Sequence, residues 1–498
     1  MRISYRSFFA AASVYLILPL IIFFFAFMKI YWAIPLTVIF AGAAVLAYRS
    51  IDKKQYINVS LTYVLIAAVL CCAWAYIAGI GEFAWTTPDH TARYAIFNDL
   101  VNYDWPVFYD LSQQSNPAVR EILGTGETVA FAYYFFFWLV PALVGKACGL
   151  FIGRIALIIW SGIGLMLTVL ALNFIQKKPK ATALVLFFLF GGFDFIIFLY
   201  YTLALHIDTV FDGWNIEFNV HGNFYQTMNT FNQSIPCWLI TALLLSFPNN
   251  KHTGTIASLT FAYSPWVTFG ILPIAICQLI KDKKQRTLKN ILTPGNLVIP
   301  VAVLAVFGTF FTANSGATGM KGFIWKFFAP DYGLMVRSYI LYVIIEFGIW
   351  CALVFKEQKH NPVYWTAIAT LLIMPIWKIT EANDFLMRGT LAPIFAVTVF
   401  VLLKLDTSLE RLKKNGNDIK AVGTVVAVFV SGITAFLFLY TSIGSTIQIY
   451  NGTYPAGLPK ETIVSFGDIR DENFTEVTRR QVYVFDYEDK PFYQIFGK

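Results

Sequence analysis

Residues 8–28, FFAAASVYLILPLIIFFFAFM, form an unbroken apolar stretch that carries no charge. A run of about 20 apolar residues is what a helix needs to cross the hydrocarbon core of a bilayer. Similar runs recur along all 498 residues, of which 57% are hydrophobic and only 13% charged. The sequence therefore predicts an all-α polytopic membrane protein and excludes a soluble globule. Because the stretch is too long for a signal peptide and follows Arg2 and Arg6, we expect an uncleaved first span.

The positive charges predict how the chain is oriented in the membrane. The formal net charge is +8, but the cations lie mainly in short loops beside apolar segments. Such cations mark cytoplasmic loops, so they indicate orientation and not a nucleic-acid partner. This accounting gives about eleven transmembrane helices and four outward loops, at residues 80–128, 206–234, 313–334 and 380–388. It divides the chain into a transmembrane domain, residues 1–444, and an outward C-terminal tail or small cap, residues 445–498.

Two apolar segments do not fit the accounting as full crossings, and both are predicted to be re-entrant. Residues 129–143 would otherwise place the basic stretch 176–180 outside, so we expect an interruption at Pro141. Residues 254–280 have cations at both ends and a break at Ser264-Pro265-Trp266. Since proline removes a backbone donor, this break predicts two half-helices that enter and leave by one face.

The first outward loop contains an acidic residue at a predicted helix start. Thr87 reads as an N-cap and Pro88 as the first helical residue, which puts Asp89 in the first turn. The apolar positions that follow, Ala92, Ile96 and Leu100, predict an amphipathic helix lying on the bilayer. Asp89 either stabilises the helix start by pairing with Arg93, or it acts as a general base at the membrane surface.

The second outward loop is rich in amides, carboxylates and aromatic residues. Aromatic rings stack on the apolar faces of sugars while polar side chains pair with hydroxyls, so this composition favours a glycan-binding surface. An interfacial aromatic belt would give a similar pattern. The candidate substrate-binding residues of this loop are His206, Asp212, Glu217, His221, Gln226 and Asn229.

Cations in the later outward loops predict an anion site. Asp384 and Arg388 are one helical turn apart and either form a simple i,i+4 pair or bind substrate, Arg388 through the phosphate of a lipid-linked donor. Lys321 and Arg337 would share the phosphate. Alternatively, cations such as Arg337 only reach towards lipid head groups.

Several short motifs together carry a family resemblance. They are Asp89-His-Thr-Ala-Arg-Tyr-Ala-Ile-Phe-Asn-Asp99, Tyr263-Ser-Pro-Trp266, Asn383-Asp-Phe-Leu-Met-Arg388 and Pro491-Phe-Tyr-Gln-Ile-Phe. In this order, with an acidic residue opening an interfacial helix, the chain resembles the GT-C superfamily of integral-membrane glycosyltransferases, in a poorly characterised bacterial branch. The resemblance implies a polyprenyl-phosphate or dolichyl-phosphate sugar donor, inversion at the anomeric carbon and an acidic base in the first outward loop.

In this sequence Asp89 matches the position of that base. His90 and Asp99 would orient or tune it, and Arg93 would contact substrate. Some branches have a second carboxylate where His90 stands here, so a divalent metal is possible but no ligand set is assigned. The expected partners are the lipid-linked donor, a glycan or lipid-linked acceptor and membrane lipid.

The expected function is sugar transfer on the outer face of a bacterial inner membrane, in cell-envelope polysaccharide or O-antigen modification. A polysaccharide polymerase or ligase would use similar substrates. A transporter is the non-enzymatic alternative, and it would be expected to show internal repeats and charged residues at mid-membrane depth. Two acidic residues, Asp194 and Glu346, do lie within apolar runs.

Overall fold

The computed structural model describes residues 1–87, 90–110, 112, 128–206, 214–247, 250–282, 286–314, 320–453, 464–467 and 482–498. Two of the candidate site residues, Asp89 and Asp212, lie outside these ranges.

The described part of the chain is mainly helical. Its first half contains α1 (Tyr5–Phe27), α2 (Ile30–Ser50), α3 (Leu61–Ile77), α4 (His90–Asn102), α5 (Leu139–Cys148), α6 (Leu150–Gln176), α7 (Ala181–Leu189), α8 (Asp194–Leu199) and α9 (Asn223–Ser246). The helices that follow are α10 (Thr253–Tyr263), α11 (Pro265–Ile280), α12 (Leu288–Ile291), α13 (Pro294–Val303), α14 (Thr309–Ala313), α15 (Trp325–Phe328), α16 (Tyr332–Tyr342), α17 (Ile349–Gln358), α18 (Pro362–Ile373), α19 (Asp384–Gly389), α20 (Leu391–Lys414), α21 (Ile419–Tyr450) and α22 (Pro491–Ile495).

Short π-helical segments join some of these helices into longer runs, at Tyr200–Ala204, Leu304–Gly308 and Val343–Gly348. Three small antiparallel sheets complete the fold. They pair β1 (Arg2–Ser4) with β2 (Tyr56–Asn58), β4 (Thr128–Phe131) with both β3 (Phe108–Asp110) and β7 (Tyr483–Val484), and β5 (Lys321–Phe323) with β6 (Trp377–Ile379).

Within the described ranges, eight helical runs are long and apolar enough to cross a membrane. They are Tyr5–Phe27, Ile30–Ser50, Leu150–Gln176, Ala181–Ala204, Pro294–Ala313, Tyr332–Gln358, Leu391–Lys414 and Ile419–Tyr450. The fold is therefore that of an all-α, membrane-embedded polytopic protein. The figure of eleven crossings stays a prediction.

Basic segments that the charge pattern assigned to the cytoplasm meet at one end of the helix bundle. Lys180 Nζ lies 3.1 Å from Asp406 Oδ2 and 3.3 Å from Glu410 Oε1. Nearby in sequence, Lys404 pairs with Glu357.

The predicted hairpin at residues 254–280 is confirmed as two antiparallel half-helices. α10 ends at Tyr263 and α11 begins at Pro265, with Ser264 as its N-cap. The far ends of the hairpin meet, because the Asn250 side-chain amide donates to the Leu279 carbonyl at 3.2 Å.

Residues 129–143 were predicted to be re-entrant with an interruption at Pro141, and the interruption was wrong. The segment begins in β4, and α5 continues through Pro141 without a break, because a proline in the first turn of a helix needs no backbone partner. α5 then turns at Gly149 and packs against α6. A Cβ on Gly153 would lie only 2.9 Å from the Gly145 Cα, so two glycines permit this close approach.

The prediction that α4 is an amphipathic helix lying on the bilayer was wrong. Its polar residues His90, Arg93 and Asp99 are buried, as are Ile96 and Leu100 on its apolar side. α5 covers α4 on one side, and the Lys146 ammonium donates to the Tyr103 carbonyl at 2.5 Å. The helix is therefore enclosed by protein.

The described residues near the C-terminus pack against the rest of the chain. Strand β7 adds to β4, and the chain end crosses the α1–α2 turn, where Lys29 N–H donates to the Phe496 carbonyl at 2.8 Å. The Lys498 N–H donates to the Phe27 carbonyl at 3.1 Å. Helix α21 continues to Tyr450, beyond the predicted domain boundary at residue 444.

Candidate functional site

A cavity of about 400 Å³ opens where parts of two predicted outward loops and the segment after β4 meet the break between α10 and α11. Its lining residues are Ala132, Tyr133, Tyr134, Phe261, Pro265, Trp266, Gly308, Phe311, Thr312, Asn314, Thr380, Asp384 and Arg388. This volume lies within the range of small-molecule sites. Two motifs that carried the family resemblance, at residues 263–266 and 383–388, therefore face one space.

Arg388 supplies the positive charge of the cavity. It lies on the short helix α19, is 8% exposed, and pairs with Asp384 through Nη1, as expected for an i,i+4 pair. Within the described ranges its Nε has no hydrogen-bond partner. Burial by itself would lower the pKa of Arg388, but Asp384, Tyr134 and Tyr133 together raise it above its usual range. The cavity thus contains a permanent cation with one unused donor edge.

Aromatic rings form much of the cavity wall. The rings of Tyr133 and Tyr134 are 4.3 Å apart, and the Tyr134 ring lies 5.9 Å from that of Phe311. Trp266 packs edge-on against Phe385, with 6.0 Å between ring centroids. Hydroxyl and amide groups of Thr312, Thr380 and Asn314 lie among the rings. A cation beside aromatic faces and neutral polar groups suits a ligand that combines an anion with a hydroxylated ring.

The start of α4 is attached to α9. The Thr87 hydroxyl donates to Asn229 Oδ1 at 2.6 Å, and His90 Nε2 donates to the Met228 carbonyl. Burial, followed by the charge of Arg93, lowers the pKa of His90 well below its usual value, so its imidazole is neutral. The residues on both sides of the Pro88-Asp89 dipeptide are therefore held by one segment of α9.

The same segment reaches the cavity wall. The His90 ring stacks 5.9 Å from the Phe231 ring, and the side-chain amide of the next residue, Asn232, donates to the Tyr134 carbonyl at 3.4 Å. The helix is kinked here, since Thr230 has non-helical φ and ψ of −135° and 29°. Residues 228–232 thus connect the start of α4 to the Arg388 cavity.

The structure places Asp99 away from His90, although the sequence analysis expected both residues to orient or tune Asp89. Nine residues separate them on α4, which is about 14 Å along the axis and half a rotation around it. Asp99 Oδ2 accepts hydrogen bonds from the Tyr109 hydroxyl at 2.7 Å and from the Phe466 N–H at 2.8 Å. Burial raises the pKa of Asp99 to about 6. This carboxyl therefore fastens the C-terminal segment to α4.

Glu217, predicted to bind substrate, is used in a buried ion pair instead. Its Oε1 lies 2.6 Å from Lys378 Nζ, and the Lys378 side chain is only 3% exposed. The Asn383 side-chain amide donates to the Glu217 carbonyl at 2.7 Å. The second outward loop is thereby fixed to the strand that leads into Thr380 and the cavity.

The other polar residues predicted for the second loop do not line the cavity. His206 is exposed, and His221 packs its ring 4.4 Å from the Tyr225 ring. Gln226 is buried and accepts the Thr230 hydroxyl at 2.5 Å, and Asn229 holds Thr87. Their amides stabilise the α9 kink and its contact with α4.

Arg337 and Lys321 also lie outside the cavity lining. Arg337 is exposed on α16, as expected of a side chain that reaches towards lipid head groups. Lys321 is exposed on β5. Its backbone is close to the cavity, because the carbonyl of its neighbour Met320 accepts the N–H of the lining residue Thr380 at 2.8 Å. Of the three cations predicted to bind phosphate, the structure thus puts only Arg388 in the cavity.

Sequence reasoning missed Tyr133, Tyr134, Asn314 and Thr380, and it used Trp266 only as part of a helix break. The break itself was a signal, because non-helical backbone at membrane depth is tolerated only inside protein or beside a cavity. The tyrosines follow a short strand and carried no pattern that separates them from an interfacial belt. Among the described residues, no group of three or more His, Cys, Asp or Glu side chains could hold a metal ion.

No family model, curated protein or solved structure matches this chain. The functional argument therefore depends on the cavity and on the residues around it.

Proposed function

We propose that this protein is an inverting glycosyltransferase of the GT-C type. It would move a sugar from a polyprenyl-phosphate donor to a glycan or lipid-linked acceptor on the outer face of a bacterial inner membrane. The observation that carries the proposal is the buried Arg388 guanidinium, whose Nε edge is unused among the described residues, in an aromatic cavity of about 400 Å³.

The cavity chemistry fits the donor head group. The open edge of Arg388 would hold the phosphate, and the fixed pair with Asp384 sets the orientation of the guanidinium. Tyr133, Tyr134 and Trp266 offer faces on which a sugar ring would stack, and Thr380 and Asn314 would pair with its hydroxyls.

Asp89 would act as the general base. It would take the proton of the acceptor hydroxyl while that oxygen forms a bond to the anomeric carbon. The bond between this carbon and the phosphate oxygen would break, and its electron pair would remain on the phosphate. Arg388 would stabilise the charge that develops there, so an acid catalyst is not needed. Support comes from the α9 segment 228–232, which contacts Thr87, His90 and Tyr134.

The experiment is transfer of radiolabelled sugar from extracted polyprenyl-phosphate sugars in proteoliposomes. Wild-type protein, Arg388→Ala and Asp89→Asn are compared, with Arg411→Ala, an exposed arginine at the end of α20, as the matched control. We expect transfer by wild type and by the control, and its loss in the two site variants. Undiminished transfer by Arg388→Ala would remove the cavity from the reaction.

A transporter remains the second candidate because Asp194 and Glu346, which lie within apolar runs, are buried together in the structure. Transport predicts loss of flux in Asp194→Asn with no sugar transfer by wild type. Transferase activity predicts the opposite pattern, with greater harm from changes at Asp89.

A further inference from the structure

The cavity arginine lies on a helix that is too short to fix its own orientation. α19 has only six residues, Asp384–Gly389, and an isolated helix of this length is not stable. Its C-terminal end lies against α11, because a Cβ on Gly270 would overlap the Gly389 carbonyl oxygen. The orientation of Arg388 therefore depends on what holds the other end, where Asp384 pairs with it.

The turn that leads into α19 contains two residues in the left-handed region of the backbone map. Thr380 has a φ of 68° and Asn383 a φ of 51°. Asparagine adopts this region more readily than most residues, but a β-branched residue such as threonine rarely does. Residues in such conformations persist only where the surrounding structure over-determines them, and they cluster at functional sites. Contacts with the rest of the chain therefore hold this turn in place.

The first end of the turn is fastened at Thr380. Its N–H donates to the Met320 carbonyl at 2.8 Å, which ties the turn to the strand pair of β5 and β6. Its hydroxyl accepts the Asp384 N–H at 3.1 Å and also lines the cavity. This end of the turn is thus part of the cavity wall.

The second end of the turn is fastened by Glu217, from the second predicted outward loop. Asn383 is 1% exposed, and its side-chain amide donates to the Glu217 carbonyl at 2.7 Å. The Glu217 carboxylate binds Lys378, which precedes the turn, at 2.6 Å. Glu217 is itself held, since Asn215 Oδ1 accepts its N–H at 2.9 Å and the N–H of Phe218 at 3.2 Å. One residue of the loop therefore contacts the chain on both sides of the turn.

We propose that Asn383 is a positioning residue, which acts through Arg388 by fixing the first turn of α19 to Glu217. For its ligand, a lipid phosphate, this assignment rests on the proposed function, whereas the position of Arg388 rests on geometry alone. Asn383 is not among the described residues that line the cavity, so it holds the helix and not the ligand. Its carbonyl accepts the Met387 N–H at 3.1 Å, which transmits its position to the residue before Arg388. A binding group has to be held to within about 0.5 Å of its productive place, so a small tilt of α19 is enough to weaken the site.

The test is binding of a polyprenyl phosphate that carries no sugar to purified full-length protein in detergent. Asn383→Gly is compared with wild type, because glycine adopts the left-handed region without steric cost and the variant loses only the side-chain amide. We expect binding about tenfold weaker, the loss for one misaligned hydrogen bond to a charged group, and a melting temperature close to that of wild type. The matched control is Asn361→Gly, which removes an amide that donates to Gln358 Oε1 at 2.9 Å before α18 begins. It is expected to bind like wild type.

A double-mutant cycle separates positioning of Arg388 from a general effect on the fold. Asn383→Gly should weaken binding no further when Arg388 is already replaced by alanine, because Asn383 acts through that side chain. The same loss in both backgrounds would overturn the proposal.

Labelling of arginine by phenylglyoxal gives a readout that does not depend on the lipid. The labelling rate of Arg388, followed by peptide mass spectrometry, should rise several-fold in Asn383→Gly, while the exposed Arg337 serves as the internal reference. If wild type binds no polyprenyl phosphate, the proposed function fails and the labelling rate alone decides the role of Asn383. Arg388 labelled at the wild-type rate in Asn383→Gly, or lipid bound as tightly as by wild type, would overturn the positioning role.

Discussion

Replacing Arg388 is expected to lower sugar transfer more than any other change of a cation in the described chain. Arg388 Nη1 is committed to Asp384, and among the described residues Arg388 Nε has no hydrogen-bond partner at this aromatic cavity. A hydrogen bond to a charged group contributes about 1.5–3 kcal/mol. Lysine keeps the charge but loses the planar fork, so roughly one such bond is lost. At about 1.4 kcal/mol for each factor of ten, Arg388→Lys should reduce kcat/KM about 10- to 100-fold.

Arg388→Ala removes the charge as well, so about two such hydrogen bonds to the phosphate are lost. This loss should reduce kcat/KM about 100- to 10,000-fold. It also leaves the Asp384 carboxylate, 28% exposed, facing a phosphate. The double variant Arg388→Ala/Asp384→Asn should therefore recover part of the loss, about three- to tenfold. Initial rates at several concentrations of polyprenyl-phosphate sugar measure both effects, with melting temperature as the check on folding. A folded Arg388→Ala protein within threefold of wild type would refute the reasoning.

Three further predictions concern other parts of the account. Asp89→Asn is expected to lower kcat about 10²- to 10⁴-fold with little change in donor KM, because the variant loses its general base. Steady-state kinetics in which only KM changed would contradict this prediction. Lys378→Met should destabilise the protein by about 3–5 kcal/mol, because it leaves the carboxylate of Glu217, 16% exposed, without its cation, and adding Glu217→Gln should restore most of the melting temperature. If the double variant melts no higher than the single one, the ion pair is not the cause. The raised pKa of Asp99, about 6, means that the folded state binds more protons than the unfolded state between pH 4 and 6. The contribution of Asp99 to the free energy of unfolding is thus lost as pH rises through 6, by roughly 3 kcal/mol. Melting temperatures of Asp99→Asn measured across this pH range should lose that part of the pH dependence.

Charge and hydropathy were enough to predict the class of fold and the pair of half-helices α10 and α11. The cations at residues 281–286 and 251–252 predicted the α10–α11 hairpin. The orientation of a membrane segment depends on the charges next to its ends, so a short stretch of sequence is enough to predict it. The interruption at Pro141 was wrong for an equally local reason. A proline breaks a helix unless it lies in the first turn. Whether Pro141 lies there depends on where α5 starts, and that start is set by β4 and its sheet partners.

The candidate site was only partly readable. Arg388 was found because a cation beside an apolar span is unusual, and its i,i+4 spacing from Asp384 is visible in sequence. The pairing of Glu217 with Lys378 joins residues 161 positions apart, and Asp99 meets Phe466 across 367 positions. No local pattern carries such contacts. Composition therefore suggested substrate binding for side chains that tertiary structure uses for packing.

The most direct measurement of the central claim is mass-spectrometric detection of polyprenyl-phosphate release by purified wild-type protein, given a panel of polyprenyl-phosphate sugars and envelope glycan acceptors. The account predicts that release requires an acceptor and that the sugar in the product has the inverted anomeric configuration. Intact protein that consumes no lipid-linked sugar, or that yields a product with retained configuration, would contradict it.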